Sequence, residues 1–153
     1  MRVPARGWTV DRSREKDGVV RIEARGPARA VTVAWSAADS SRLAEAGGLA
    51  LLEEIATRVG SPAPIDRAGT RAAAGTYLGR PSLRVEGSRA GAGGAAKDPF
   101  VAVLFIDPTL GRTFVIECRA SAAGPGSLPV RMWEMEARAA TFRVAETGHA
   151  PPK

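Results

Sequence analysis

His149 is the only histidine in the chain and Cys118 the only cysteine. A general base must be held within hydrogen-bond reach of the proton it takes. His149 sits beside Pro151-Pro152 in a polar C-terminal tail that cannot hold it there. Ser-His-Asp and Cys-His catalysis are therefore not expected, nor is a histidine-based metal site. Cys118 alternates with Phe114 and Ile116 on the apolar side of a strand-like segment, where a thiol behaves as a small inert hydrophobe. A single cysteine forms no internal disulfide, so the cysteine count gives no sign of an oxidising compartment.

Gly91-Ala92-Gly93-Gly94-Ala95-Ala96 matches the dinucleotide pattern G-x-G-x-x-G/A letter for letter. That chemistry needs the turn to open a helix, whose first amides hold the pyrophosphate. Here Lys97-Asp98-Pro99 and a β-rich run follow, so the glycines read as a hairpin loop, and no cofactor is expected. Lys97 makes no P-loop, because that motif needs Gly-Lys-Ser/Thr before a helix. Among carboxylates, Glu134 and Glu136 are two apart on a helical segment and diverge. Asp98, Asp107 and Glu117 frame one hairpin, with Asp98 and Asp107 in strand-end and turn positions. None of these pairs has the spacing of an acid–base site, and the chain reads as a non-enzyme.

The elements that would position these residues follow from periodicity. Residues 6–12 form a short strand around Trp8 and Val10. Residues 18–25 alternate, with Val20, Ile22 and Ala24 on one face and Arg21, Glu23 and Arg25 on the other. Gly26-Pro27 turns the chain, and Val31, Val33 and Trp35 alternate along 29–36. Residues 39–59 change to helical period between N-cap candidates Asp39, Ser40 and Ser41 and a C-terminal Gly60. Gly47-Gly48 costs about 1 kcal/mol per glycine against alanine, so the secure helix is 49–59. A short strand is expected near 74–78, and 81–89 alternates with Leu83 and Val85 opposed to Arg84 and Glu86. A small-residue loop spans 87–96. Residues 100–106 are apolar on both faces, which marks a central, doubly covered strand. Asp107 to Gly111 connect it to a return strand, 112–120. A loop, 121–129, leads to a last helix from Val130 to about Arg143, with Met132, Met135, Ala139 and Phe142 as its buried stripe. The expected class is α+β: an antiparallel sheet of about six strands flanked by helices, in one domain over residues 1–146, with a disordered tail at 147–153.

Charge narrows the partners. The chain carries +6, and 19 of its 22 basic residues are arginine. Residues 1–38 and 71–97 are each net +4, two regions that would form one basic patch if the fold joined them. No stretch approaches 18 apolar residues, and the start lacks the apolar core of a signal peptide. The expectation is a cytoplasmic protein, or an exported one whose leader has been removed. Trp8, Trp35 and Trp133 stand out in a chain with 5% aromatics, since tryptophan is either core or binding hot spot.

Four features carry a family resemblance: the opening Pro4-Ala5-Arg6-Gly7-Trp8, a mid-chain helix ending in Gly-Ser-Pro over Leu51 to Pro62, the apolar hairpin Phe100 to Ala120, and a final helix closing on Phe142-Arg143. This layout resembles the PsbP-like and DcrB-like α/β/α sandwich group, which includes Ran-binding release factors and Eag-type secretion chaperones. The resemblance implies a non-enzymatic accessory or adaptor domain that binds another protein, such as a secretion effector or a subunit of a bacterial complex. The candidate binding surface is then Trp8, Trp35, Trp133, Arg21 and Arg25, with the 121–129 loop. Two other classes stay open: a small-molecule or lipid carrier, and a basic nucleic-acid-binding module.

Overall fold

The computed structural model describes residues 8–24, 29–60, 64–90 and 97–120. Seven strands form one antiparallel sheet: β1 (Trp8–Asp11), β2 (Val19–Ala24), β3 (Arg29–Ala37), β4 (Arg71–Tyr77), β5 (Arg80–Arg89), β6 (Asp98–Asp107) and β7 (Arg112–Ala120). Their order across the sheet is β1-β2-β3-β7-β6-β5-β4. One helix, α1 (Glu45–Arg58), follows β3. Sequence expectation and structure agree on an antiparallel α+β sheet. They differ in strand number, seven against about six, because the run near 74–78 is a full strand of seven residues. The expected last helix and the tail lie outside the described residues.

Hairpins built from adjacent segments explain most of this order. β1, β2 and β3 form a meander, as do β4, β5, β6 and β7. The meanders meet where β3 pairs with β7 in an unbroken nine-residue register, Arg29↔Ala120 to Ala37↔Arg112. Asp107 shapes the β6–β7 turn: its Oδ1 accepts the amides of Thr109 at 2.9 Å and Leu110 at 3.2 Å. The β4–β5 turn is the two-residue Leu78-Gly79, with φ of +51° and +72°. Two positive φ values suit the twist of a tight hairpin, but a leucine there costs about 1–2 kcal/mol.

The strand period sorts side chains into two layers. Val19, Ala34, Leu83, Val85, Phe100, Ala102, Leu104 and Val115 face α1 and pack with its Leu49, Leu51, Leu52 and Ile55. Val20, Ile22, Val31, Val103, Phe105, Ile116 and Cys118 form a second buried cluster on the other face, over which no described element lies. Residues 100–105 are buried throughout, as their unbroken apolarity requires.

α1 begins at Glu45, earlier than the secure span of 49–59. The two glycines explain why. A Cβ at Gly47 would collide with the carbonyl oxygen of Ser41, and one at Gly48 with the Leu83 side chain. Glycine here gives up helix propensity so that α1 can lie close to β5 and to the turn before it. Asp39 caps that preceding 3-10 turn, Ser40–Leu43, rather than α1, whose N-cap is Ala44. Gly60, with φ +71°, ends the helix as expected and donates its amide to the Thr57 carbonyl at 3.0 Å.

Most described strands of the two basic regions lie apart in the sheet, although Arg89 of the second reaches a recess that Arg21 of the first also lines. Residues 1–38 build β1 to β3 and residues 71–97 build β4 and β5, and the order of the sheet sets β7 and β6 between them. The loop expected at 87–96 is also shorter, because β5 continues to Arg89 and is followed, past residues 91–96, by a strand rather than a helix.

Candidate functional site

The polar side chains that converge lie on the α1 face, where β2, β3 and β7 pass under the last turns of the helix. One row across the sheet reads Arg21, Thr32, Glu117, and the next reads Glu23, Ala30, Arg119. Ala30 and Thr32 are the small members of these rows, and together they leave a recess. Arg21, Arg89, Glu117 and Arg119 surround it, and Ile55, Ala56 and Val59 roof it. The cavity measures about 20 Å³, space for a water or for the head of one small polar group.

Its base is a buried ion pair. Arg89 Nε donates to Glu117 Oε1 at 2.8 Å, and Arg89 Nη2 donates to Oε2 at 2.7 Å, a bidentate fork. Arg89 is 1% exposed and Glu117 7%. Nη2 also donates to the carbonyl of Leu52 at 3.1 Å, so one side chain ties α1 to β7. The guanidinium carbon stands 5.3 Å from the centre of the Phe100 ring, within cation–π range. Desolvating two charges is tolerated because the fork, the helix carbonyl and the ring satisfy them together.

The rim is different. Arg21 Nε lies 2.8 Å from Glu23 Oε1, but off the N–H axis, so this buried donor has no hydrogen-bond acceptor. Arg119 is half-buried and has no ion-pair partner among the described residues. With Glu117 occupied by Arg89 and Arg21 ion-paired with Glu23, the Arg21 Nε–H and the Arg119 head remain to face a small recess. The arrangement can donate hydrogen bonds to an incoming anion, a carboxylate above all, whose planar group matches guanidinium donors.

Of the described residues expected at a binding surface, Arg21 lies at this recess. Trp35 belongs to the opposite face, packed against the second cluster with the Arg112 guanidinium 5.9 Å from its ring centre. Trp8 contributes backbone to the β1 edge, while Arg25, Trp133 and the 121–129 loop lie outside the described residues. The structure therefore does not bring Arg21 and Trp35 together.

Arg89, Glu117 and Arg119 were not expected here. Arg89 falls in a segment that composition assigns to a loop, yet it continues the alternation of Leu83 and Val85 onto the buried face. Glu117 shares its face with Val115. Opposite charges on two inward-facing registers are the sequence signal of such a pair.

Elsewhere, Arg80 meets Asp107 at 3.2 Å, Arg84 meets Glu86 at 2.9 Å, Arg67 meets Glu53 at 2.9 Å, and Lys97 pairs with Asp66. The Lys97 ammonium is the leading reason that the Asp66 carboxyl is held below its ordinary value. Much of the positive charge is thus met within the fold. Among the described residues no three of His, Cys, Asp and Glu gather as metal ligands, and no helix is long and apolar enough to cross a membrane. In comparison with known proteins, the chain matches no protein-family model and no curated protein.

Proposed function

We propose that this chain is a non-enzymatic protein-binding accessory or adaptor domain, and that it holds an acidic side chain of its partner in the recess beneath the end of α1. The observation that carries the reading is the pairing state of the arginines. Arg89 is consumed by Glu117, whereas the Arg21 Nε–H is buried without an acceptor and Arg119 has no described counter-charge. A carboxylate entering from solvent would satisfy both rim groups in a half-desolvated setting, where a charged hydrogen bond contributes about 1.5–3 kcal/mol. The recess of about 20 Å³ suits a side-chain head and not a lipid or a nucleotide.

The fold supports the same reading. A seven-stranded antiparallel sheet with a helix on one face is half of an α/β/α sandwich. On that ground we propose a PsbP-like arrangement for the chain. A secretion chaperone or a subunit of a larger bacterial assembly fits such a domain.

The test compares partners captured from native cell extract by the tagged chain and by Arg119→Glu. One stoichiometric protein is expected with the wild-type chain. Its affinity, measured with the purified pair, should fall roughly 10- to 100-fold in the variant and weaken with salt. Capture that is indifferent to Arg119→Glu and to salt would overturn the assignment of the recess. A chain that emerges alone would overturn the adaptor reading itself.

A further inference from the structure

The seventh strand ends the sheet with an unusual edge. β4 reads Arg71-Ala72-Ala73-Ala74-Gly75-Thr76-Tyr77 and pairs only with β5, in an unbroken register from Arg71↔Glu86 to Tyr77↔Arg80. Edge strands are ordinarily guarded by lysine, proline, a bulge or a covering segment. None of these guards is present among the described residues. No charge or proline interrupts residues 72–76, and the continuous register leaves no bulge. Residues 73–76 are all exposed, and no described residue lies over them. The rest of this sheet margin is closed: Asp66 donates its amide to Ser88 at 2.9 Å, Ala90 donates to Pro64 at 3.1 Å, and Ile65 bridges to Arg89. The open stretch is β4 alone.

A second observation points to the same place. Leu78, at the tip of the β4–β5 hairpin, is 59% exposed and is the one described non-glycine residue with positive φ. A large apolar side chain held in that conformation gains nothing from the packing of this chain by itself.

We propose that β4 is a homotypic docking edge, on which a second copy of this chain adds its own β4 antiparallel about a two-fold axis at Ala74. The occupant follows from the strand itself. In an antiparallel pair, residues directly opposite share a face, so two copies of one strand can meet only with the axis through a residue. Of those registers, the one centred on Ala74 alone pairs all seven residues. It sets Arg71 across from the partner's Tyr77 on the same face, twice over, a cation–π pairing of the kind Arg89 and Arg112 make within the chain. It also carries Leu78 to the partner's Thr70, off the solvent. The small residues 72–75 leave room for the neighbouring sheet, and the two sheets become one of fourteen strands. β4 contributes no residue to the α1 recess, so this inference does not depend on the adaptor reading.

The full chain is tested by sedimentation velocity from dilute to concentrated solution. Because the contact is small, the expected result is reversible growth from 16.0 kDa to twice that mass. Ala74 is exposed, so Ala74→Lys and Ala74→Glu both retain the fold, checked by circular dichroism. Each variant alone places like charges on the axis and should stay monomeric, and an equal mixture should restore the dimer. Arg119→Glu should leave the dimer unchanged. A wild-type chain that remains at one mass at every concentration overturns the proposal, and so does a dimer that Ala74→Lys leaves intact.

Discussion

Arg89 is the side chain on which the two layers of this domain depend. It neutralises Glu117, donates to a helix carbonyl and lies against Phe100, all at 1% exposure. Arg89→Met keeps the bulk but leaves the Glu117 carboxylate buried and unpaired, a change that costs about 3–5 kcal/mol. The companion variant Arg89→Met with Glu117→Leu removes both charges, and much of that loss should return, because an apolar pair of similar volume avoids the desolvation of two ions. Urea denaturation of the three proteins measures both effects. Equal stability of the single and double variants would show that Glu117 finds another partner once Arg89 is gone. Arg119 contrasts with Arg89 at this same scale. It occupies the neighbouring row without a described counter-charge, so its replacement should alter binding far more than stability.

The segment between β3 and α1 shows how a helix is set against a sheet when its own start is poor. Ala44 offers no side-chain cap, and Gly47 and Gly48 weaken the first turns. Asp39 compensates from outside the helix. Its Oδ1 accepts the Ser41 hydroxyl at 2.7 Å and the Ser41 amide at 3.0 Å, while its own amide donates to Thr113 Oγ1 of β7 at 3.0 Å. The Ser41 hydroxyl first, then the Ser41 amide, and the charge of Arg42 hold the Asp39 carboxyl below its ordinary value of 3.8. A carboxyl lowered on folding contributes stability that is complete above its unfolded value and is lost as pH falls through the folded one. Asp39→Asn should therefore be less stable than wild type at neutral pH, with the gap closing as pH drops below 3.8. Urea midpoints along a pH series check this, and a gap that widens on acidification would contradict it. These elements also show which parts of the fold periodicity could reveal. Val31, Val33 and Trp35, or Leu83 and Val85 against Arg84 and Glu86, declare their strands because one face is apolar and the other polar. β4 hides because alanine, glycine and threonine carry no such contrast, and the first turns of α1 hide because the glycines needed for close approach are poor helix formers. The recess was illegible for another reason: its residues come from β2, β3, β5, β7 and α1, and only the sheet order joins them.

At the scale of the whole molecule, that order decides both charge and stability. Placing β3, β7 and β6 in the interior sets the described strands β1–β2 and β4–β5 of the two basic stretches toward opposite edges, with Arg89 alone reaching back to the recess beside Arg21. It also grades the sheet mechanically. β6 and β7 are flanked on both sides and buried on both faces, whereas β4 is bonded along one side only and exposes most of its side chains. Amides that open only when the whole domain unfolds exchange last, and those that open by fraying exchange first. Hydrogen exchange should accordingly be slowest in β6, β7 and β3. In β4 only alternate amides, those turned toward β5, should show protection in dilute solution. The outward set reports separately on the edge. If two chains pair along β4, those amides gain protection as concentration rises while β6 and β7 stay as they were, because their exchange is already limited by global opening. Uniform exchange across β4, β6 and β7 would mean that the sheet opens as one unit from its edge inward, and the interior strands would then have no stability of their own to distinguish them.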